Sequence, residues 1–158
     1  MSEISAENRT ELEKRYRTAA FVVIAQILTT VVLIVVAFFV AQTSENSVTS
    51  QAIFALWIIV LFIAVGAFIL RRILFNWERL KNTALIKGIP GLLQTLQTNS
   101  ILLGSLAEII AIIGFLVATL GGNKLDMFRV GTIALIVFLA NFPRKSNWEK
   151  LVANLEKI

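Results

Sequence analysis

The sequence contains no cysteine and no histidine among its 158 residues. Disulfide bonds, thiol chemistry, Ser-His and Cys-His nucleophiles, haem axial histidines and His/Cys metal sites are therefore excluded. Acidic residues are few, ten against fifteen Lys and Arg, and 57% of the chain is hydrophobic with a mean hydropathy of +0.80. Because soluble domains are usually about 45–50% apolar, this composition indicates one membrane-embedded unit. No catalytic residue, metal or cofactor is expected.

Long apolar runs predict four membrane-spanning helices. A hydrocarbon core of about 30 Å requires about 20 helical residues, and the first three runs reach that length with Glu108 as their one internal charge. The fourth has only 13 clean residues, 130–142, and spans only if it begins near Leu125. We predict an all-α fold, a four-helix transmembrane bundle with a C-terminal amphipathic interfacial helix. The predicted spans are 19–42, 52–70, 100–120 and 125–142.

The positions of Lys and Arg predict the orientation of these spans. The N-terminal tail, the segment between spans two and three, and the C-terminal tail carry four, five and four of them. The first connection carries none, and the third carries two, Lys124 and Arg129. Cytoplasmic loops are enriched in Lys and Arg, so both termini are expected in the cytoplasm. Membrane orientation then explains the excess of Lys and Arg, so no nucleic-acid partner is expected. We expect the protein to lie in a bacterial inner membrane.

Three pieces are expected in the cytoplasm: two flank the membrane domain, 19–142, and one connects its second and third spans. They are a tail, 1–18, a basic helical hairpin, 71–99, and an amphipathic helix, 143–158. In the hairpin, span two is expected to continue as a helix until Gly88 to Gly91, where Pro90 starts the return helix. Ser146 with Glu149, and Thr10 with Glu13, have the spacing of helix capping boxes.

The apolar face of the C-terminal helix has three possible partners. It consists of Trp148, Leu151, Val152, Leu155 and Ile158. An amphipathic helix next to a membrane exit can lie in the headgroup plane. It can equally pack on the protein's own cytoplasmic end, or bind a protein partner.

Small residues form a stripe along the third span. Spacings of four and three residues place them on one helix face, where they let a second helix backbone come close. The favoured interpretation is helix packing, because burial within lipid gives no hydrophobic gain. The stripe consists of Ser100, Gly104, Ala107, Ala111, Gly114 and Ala118.

Glu108 borders this stripe and is the one acid of the third span. It lies about nine residues, on the order of 13 Å, inside the cytoplasmic edge, close to the membrane midplane. A charged side chain there costs roughly 2.5–3.5 kcal/mol, so we expect Glu108 to be protonated for much of the time. Gln26, Thr29 and Thr30 of span one lie at a similar depth and are its possible hydrogen-bond partners.

Residues 90–120, "PGLLQTLQTNSILLGSLAEIIAIIGFLVATL", resemble the carboxylate-bearing helix of the ATP synthase proteolipid subunit c. The matching features are Pro90 in a polar loop, the Leu-Gln-Thr segment, and an acid 18 residues after the proline. Ala111 and Gly114 also fall where that family has small residues. The resemblance implies that Glu108 binds a proton. Ile113 stands where sodium-binding members have a hydroxyl, which argues against sodium.

Three functions fit the sequence. The favoured one is a small non-enzymatic membrane protein that serves as an accessory, assembly or scaffold component of a membrane complex, with another membrane protein or a second copy as partner. The alternative is a proton-binding or proton-translocating subunit that uses Glu108. The third, a membrane enzyme or small-molecule carrier, lacks clustered acids and a phosphate-binding glycine-rich loop.

Overall fold

The computed structural model describes residues 4–40, 50–121 and 123–156, and these form five helices. Four stretches of the described chain are long and apolar enough to cross a membrane, which confirms the predicted all-α, four-span fold. The end of the predicted first span and most of the first connection lie outside the described residues. The helices are α1 (Ala6–Val40), α2 (Ser50–Leu74), α3 (Trp77–Gly121), α4 (Lys124–Asn141) and α5 (Lys145–Leu155).

The first helix begins earlier than the expected cap at Thr10. The backbone N–H of Asn8 donates to Ser5 Oγ at 3.3 Å, so Ser5 acts as the cap. Thr10 already lies inside the helix, where its hydroxyl donates to the Ala6 carbonyl at 3.0 Å. The capping-box prediction at Thr10 and Glu13 is therefore wrong, and the N-terminal tail and the first span form one continuous helix.

The corner between α2 and α3 also differs from the expected continuous helix. The second helix ends at Leu74, and Asn76 Oδ1 accepts from the Glu78 N–H at 2.9 Å to start the next one. The buried Asn99 amide donates to the Leu74 carbonyl at 3.2 Å. This bond satisfies one of the carbonyls that a helix end leaves free, which stabilises the break.

Gly88 divides α3 into two parts. Its backbone, with φ 69° and ψ −179°, is one that glycine adopts and side-chain-bearing residues avoid. The first part, Trp77–Lys87, lies outside the third span, and the second part carries Pro90 near its start and then enters the span. The glycine-proline break predicted at 88–91 is therefore present, although the helix before it is separate from α2.

The fourth and fifth helices begin differently. Asn123 caps α4 by accepting from the Leu125 N–H at 3.0 Å, so the fourth span begins close to the predicted residue. Arg144 is the N-cap of α5 and makes no side-chain capping bond. Ser146 lies inside the first turn, so the capping box expected at Ser146 and Glu149 is wrong.

Large apolar side chains from three elements pack together at one end of the bundle, which we call the basic end. Leu12 comes from α1, Leu80 and Leu92 from α3, and Trp148 and Val152 from α5. Glu156 accepts hydrogen bonds from Ser5, so the two described termini meet. The apolar face of α5 therefore packs on the protein's own end. The basic N-terminal, central and C-terminal segments all lie at that end. An even number of spans brings both termini to the same side of the bundle.

Candidate functional site at Glu108

The six residues of the packing stripe on α3 are all buried, and the two glycines among them contact two different helices. A Cβ added at Gly104 would overlap Oε1 of Gln26 in α1. A Cβ added at Gly114 would lie 2.6 Å from Val130 Cγ1 in α4. The predicted packing stripe is thus a seam shared by α1 and α4. Its members are Ser100, Gly104, Ala107, Ala111, Gly114 and Ala118.

Gln26 crosses the seam between α1 and α3. Its side chain is 9% exposed, and Nε2 donates to Ser105 Oγ at 3.0 Å. Oε1 faces Gly104 and has no conventional hydrogen-bond partner among the described residues. A glycine hydrogen lies where a Cβ would be, so the Cα–H of Gly104 points at this oxygen in the manner of a weak Cα–H···O contact. Ser105 was not among the predicted site residues.

The two threonines of α1 have different environments. Thr30 is fully buried, and its hydroxyl has no partner in the described part of the chain. Thr29 is exposed and donates to the Ala25 carbonyl at 3.1 Å. Thr30 therefore faces the bundle, whereas Thr29 turns away from it.

The first and third helices run parallel, so depths along them can be compared. Arg15 Nη1 donates to Gln97 Oε1 at 3.2 Å near the basic end, and Gln26 meets Ser105 farther along both helices. Glu108 lies three residues beyond Ser105, and Thr30 lies four beyond Gln26. Glu108 and Thr30 therefore have nearly the same depth, as the sequence suggested.

Glu108 lies at the border between the buried and exposed faces of α3. It is half-buried, with buried Ala107 before it and exposed Ile109 after it. Within residues 4–40, 50–121 and 123–156 it makes no hydrogen bond and no ion pair. In particular, Glu108 makes none of the expected hydrogen bonds with Gln26, Thr29 and Thr30. The Gln26 amide donates to Ser105 and the Thr29 hydroxyl to Ala25. The Thr30 hydroxyl has no partner among the described residues.

We call this border the Glu108 edge and define it by Ser105, Glu108 and Ile112 of α3. Ile112 follows Glu108 by one helical turn and is exposed. A carboxyl in this position has hydrogen-bonding capacity that the described chain does not use. It can bind a proton, or it can bond to a group that another molecule supplies. Among the described residues, no group of three or more Asp and Glu side chains could hold a metal ion.

Comparison of the chain with family models, with curated proteins and with solved structures finds no match.

Proposed function

We propose that this chain is a non-enzymatic accessory, assembly or scaffold component of a membrane complex. The observation that carries the proposal is Glu108, a half-buried carboxyl at mid-depth of a membrane-spanning helix with no partner among the described residues. Its partner is another membrane protein or a second copy of this chain, and the contact surface is the Glu108 edge.

The argument is energetic. A charged carboxylate that faces lipid near the membrane centre costs roughly 2.5–3.5 kcal/mol on the insertion scale. Acids retained at such positions usually face a bundle interior or water. Here Gly104, Ala107 and Ala111 are buried in the seam, whereas Glu108 is half-buried at its border and makes no hydrogen bond with a described residue. A helix from another chain that covers the edge removes the carboxyl from lipid and can donate a hydrogen bond to it.

Native mass spectrometry after extraction in mild detergent tests this proposal. We expect the wild-type particle to contain a second polypeptide and Glu108→Leu to lose it. Thr29→Leu is the matched control, because it makes a polar-to-apolar change at similar depth on the exposed side of α1. The control particle is expected to keep the partner. A wild-type particle that carries only lipid, or a Glu108→Leu particle that keeps the partner, contradicts the proposal.

A second candidate function is proton binding or translocation at Glu108, which the resemblance to subunit c implies. One observation favours it: polar positions lie along one side of α3 between the basic end and the acid. Gln97 accepts from Arg15, Ser105 accepts from Gln26, and Glu108 follows. These side chains could bring protons toward the carboxyl from one side of the membrane.

Carbodiimide labelling tests this second candidate, since the reagent attacks a protonated carboxyl. We expect an adduct on the peptide that contains Glu108 and none in Glu108→Gln. Complete resistance to labelling at low pH contradicts proton binding. Labelling that occurs in a particle lacking any second polypeptide would favour this candidate over a role in assembly.

A further inference from the structure

The corner between α2 and α3 forms an open groove of about 540 Å³. One wall is Ile73, in the last turn of α2, and the other is one face of the helix Trp77–Lys87. Arg79, Asn82 and Ile86 fall on that face because residues three and seven positions apart lie on the same side of a helix. Lys87 and the acid Glu78 also line the groove, which therefore has two cations and one carboxylate in its walls.

This corner carries unpaired positive charge. Residues 71–87 contain five cations and one acid, Glu78, which leaves a net charge of +4 (five minus one). None of the five cations takes part in an ion pair within the described part of the chain. Elsewhere on the same end, Arg15, Arg17 and Lys145 have carboxylate partners, and the other described cations of the two terminal segments have none among the described residues. The five cations are Arg71, Arg72, Arg79, Lys81 and Lys87.

The same corner exposes large apolar side chains. Ile86 is 81% exposed, and Ile73, Trp77 and Leu85 are also exposed. In water these side chains would be unfavourable, but at a bilayer boundary they can enter the region between headgroups and acyl chains. The position of the corner agrees, since it follows directly on the apolar span of α2. Cations beside exposed apolar groups at this depth match an anionic lipid, which offers a phosphate and acyl chains together.

We propose that this groove binds the headgroup of an anionic phospholipid. Arg79 and Lys87 hold the phosphate, because guanidinium and ammonium groups are the side chains that bind phosphate most strongly. The Asn82 amide is placed to add a neutral hydrogen bond. Ile73 and Ile86 contact the first carbons of the acyl chains. The site lies at the end of the bundle away from the α1–α3 seam and does not depend on Glu108.

Lipid titration monitored by native mass spectrometry tests the proposal. The purified protein is titrated with phosphatidylglycerol and with phosphatidylcholine of the same acyl chains. We expect the wild type to prefer phosphatidylglycerol at least tenfold. The double variant Arg79→Gln/Lys87→Gln should lower that affinity about 30-fold, about 2 kcal/mol, since each cation near an anionic surface contributes about 1 kcal/mol.

The matched control is Arg9→Gln/Lys14→Gln, which also removes from the basic end two exposed cations that form no ion pair with a described residue. It should keep phosphatidylglycerol affinity within about threefold of the wild type. An equal loss in both double variants would mean general attraction to charge and would overturn the proposal. So would an absence of preference for the anionic lipid.

Two further arms separate other ligands and the proposed function. Inorganic phosphate at millimolar concentration should not displace the lipid, and full displacement would identify a free-phosphate site and overturn the lipid assignment. Undiminished lipid binding in Arg79→Gln/Lys87→Gln would leave the groove to an acidic protein segment and also overturn it. Glu108→Leu should bind lipid as the wild type does, so failure here is distinguishable from failure of the Glu108 proposal.

Discussion

The basic end and the seam between α1, α3 and α4 are packed in opposite ways. The basic end is filled by large side chains, with Trp148 and several leucines almost fully buried. The seam is lined by glycine and alanine of α3, and at Gly104 and Gly114 a single added Cβ would meet an atom of the facing helix. In the basic end, large side chains fill the space between the helices. In the seam, small residues let the helix backbones approach each other closely.

The difference follows from the solvent that each region meets. In water, burial of a large apolar side chain stabilises by roughly 1.5–3 kcal/mol, so an end of the bundle that meets water gains from Trp and Leu. In lipid, an exposed Leu is as well solvated as a buried one, and helices associate through close backbone approach and interhelical hydrogen bonds. Glu108 is half-buried at the border of this seam, next to buried Ala107.

The largest expected effect is at the basic end. Trp148→Ala removes a side chain that is 2% exposed and stacks edge-on against Tyr16, with ring centroids 5.8 Å apart. Loss of such a residue costs about 3–5 kcal/mol, so hydrogen exchange of the α5 amides should accelerate at least a hundredfold. Trp77→Ala, at an exposed position, should change stability by at most about 0.5 kcal/mol. Similar exchange rates in the two variants would show that α5 is not anchored by this cluster.

An intermediate effect is expected in the seam. Gly114→Ala places a Cβ 2.6 Å from Val130 Cγ1 and should lower the free energy of unfolding by about 1–3 kcal/mol. The Val130 Cβ would also lie only 2.8 Å from the added Cβ, so room is made by adding Val130→Gly, which removes both atoms. That double variant should be more stable than the sum of the single effects predicts.

Gly66→Ala provides the control for this substitution, because a Cβ at Gly66 meets no atom within 4 Å. It should be neutral or should stabilise by up to about 1 kcal/mol, the helix-propensity difference between the two residues. Denaturant unfolding in micelles measures the wild type, the three single variants and the double variant. Equal destabilisation by Gly114→Ala and Gly66→Ala would mean that close packing of the seam is not what its glycines provide.

The smallest effect is expected for the hydrogen bond between Gln26 and Ser105. Interhelical hydrogen bonds of this kind in membrane proteins average about 0.6 kcal/mol in double-mutant cycles. A cycle of Gln26→Ala, Ser105→Ala and the double variant should give a coupling energy of that size. A coupling energy near zero would mean that the 3.0 Å contact contributes nothing, and that the amide is held by packing against Gly104 alone.

Much of the fold could be predicted from composition and spacing. The apolar runs located four spans, and the distribution of Lys and Arg grouped three segments that the structure brings to one end. Gly88 and Pro90 marked a real break, because Gly88 permits a backbone conformation that other residues avoid and Pro90 fixes its own φ. The capping patterns were less informative. Ser5 lies upstream of Thr10 and takes the cap, and the break at Asn76 depends on Asn99, a residue far away in sequence.

The candidate site was predictable in part. The periodicity of Gly104 and Ala107 identified a packing face, and residue counting placed Glu108 at the depth of Thr30. The bonding of Gln26 could not be predicted, since it depends on how α1 is rotated against α3. Ser105 had one available signal, because it directly follows Gly104, a small residue of the predicted packing stripe at which α1 comes close. Under our proposal the group that receives the Glu108 carboxyl lies on another polypeptide, so the contacts within one copy do not include it.

Photo-crosslinking in intact membranes tests the central claim, that protein covers the Glu108 edge. Benzoylphenylalanine replaces Ile112 on the edge, or Phe62, which is 79% exposed on α2. The account predicts a discrete protein adduct at position 112 that Glu108→Leu reduces at least tenfold, and lipid adducts alone at position 62. Lipid adducts alone at both positions, or a protein adduct at 112 that Glu108→Leu leaves unchanged, would contradict it.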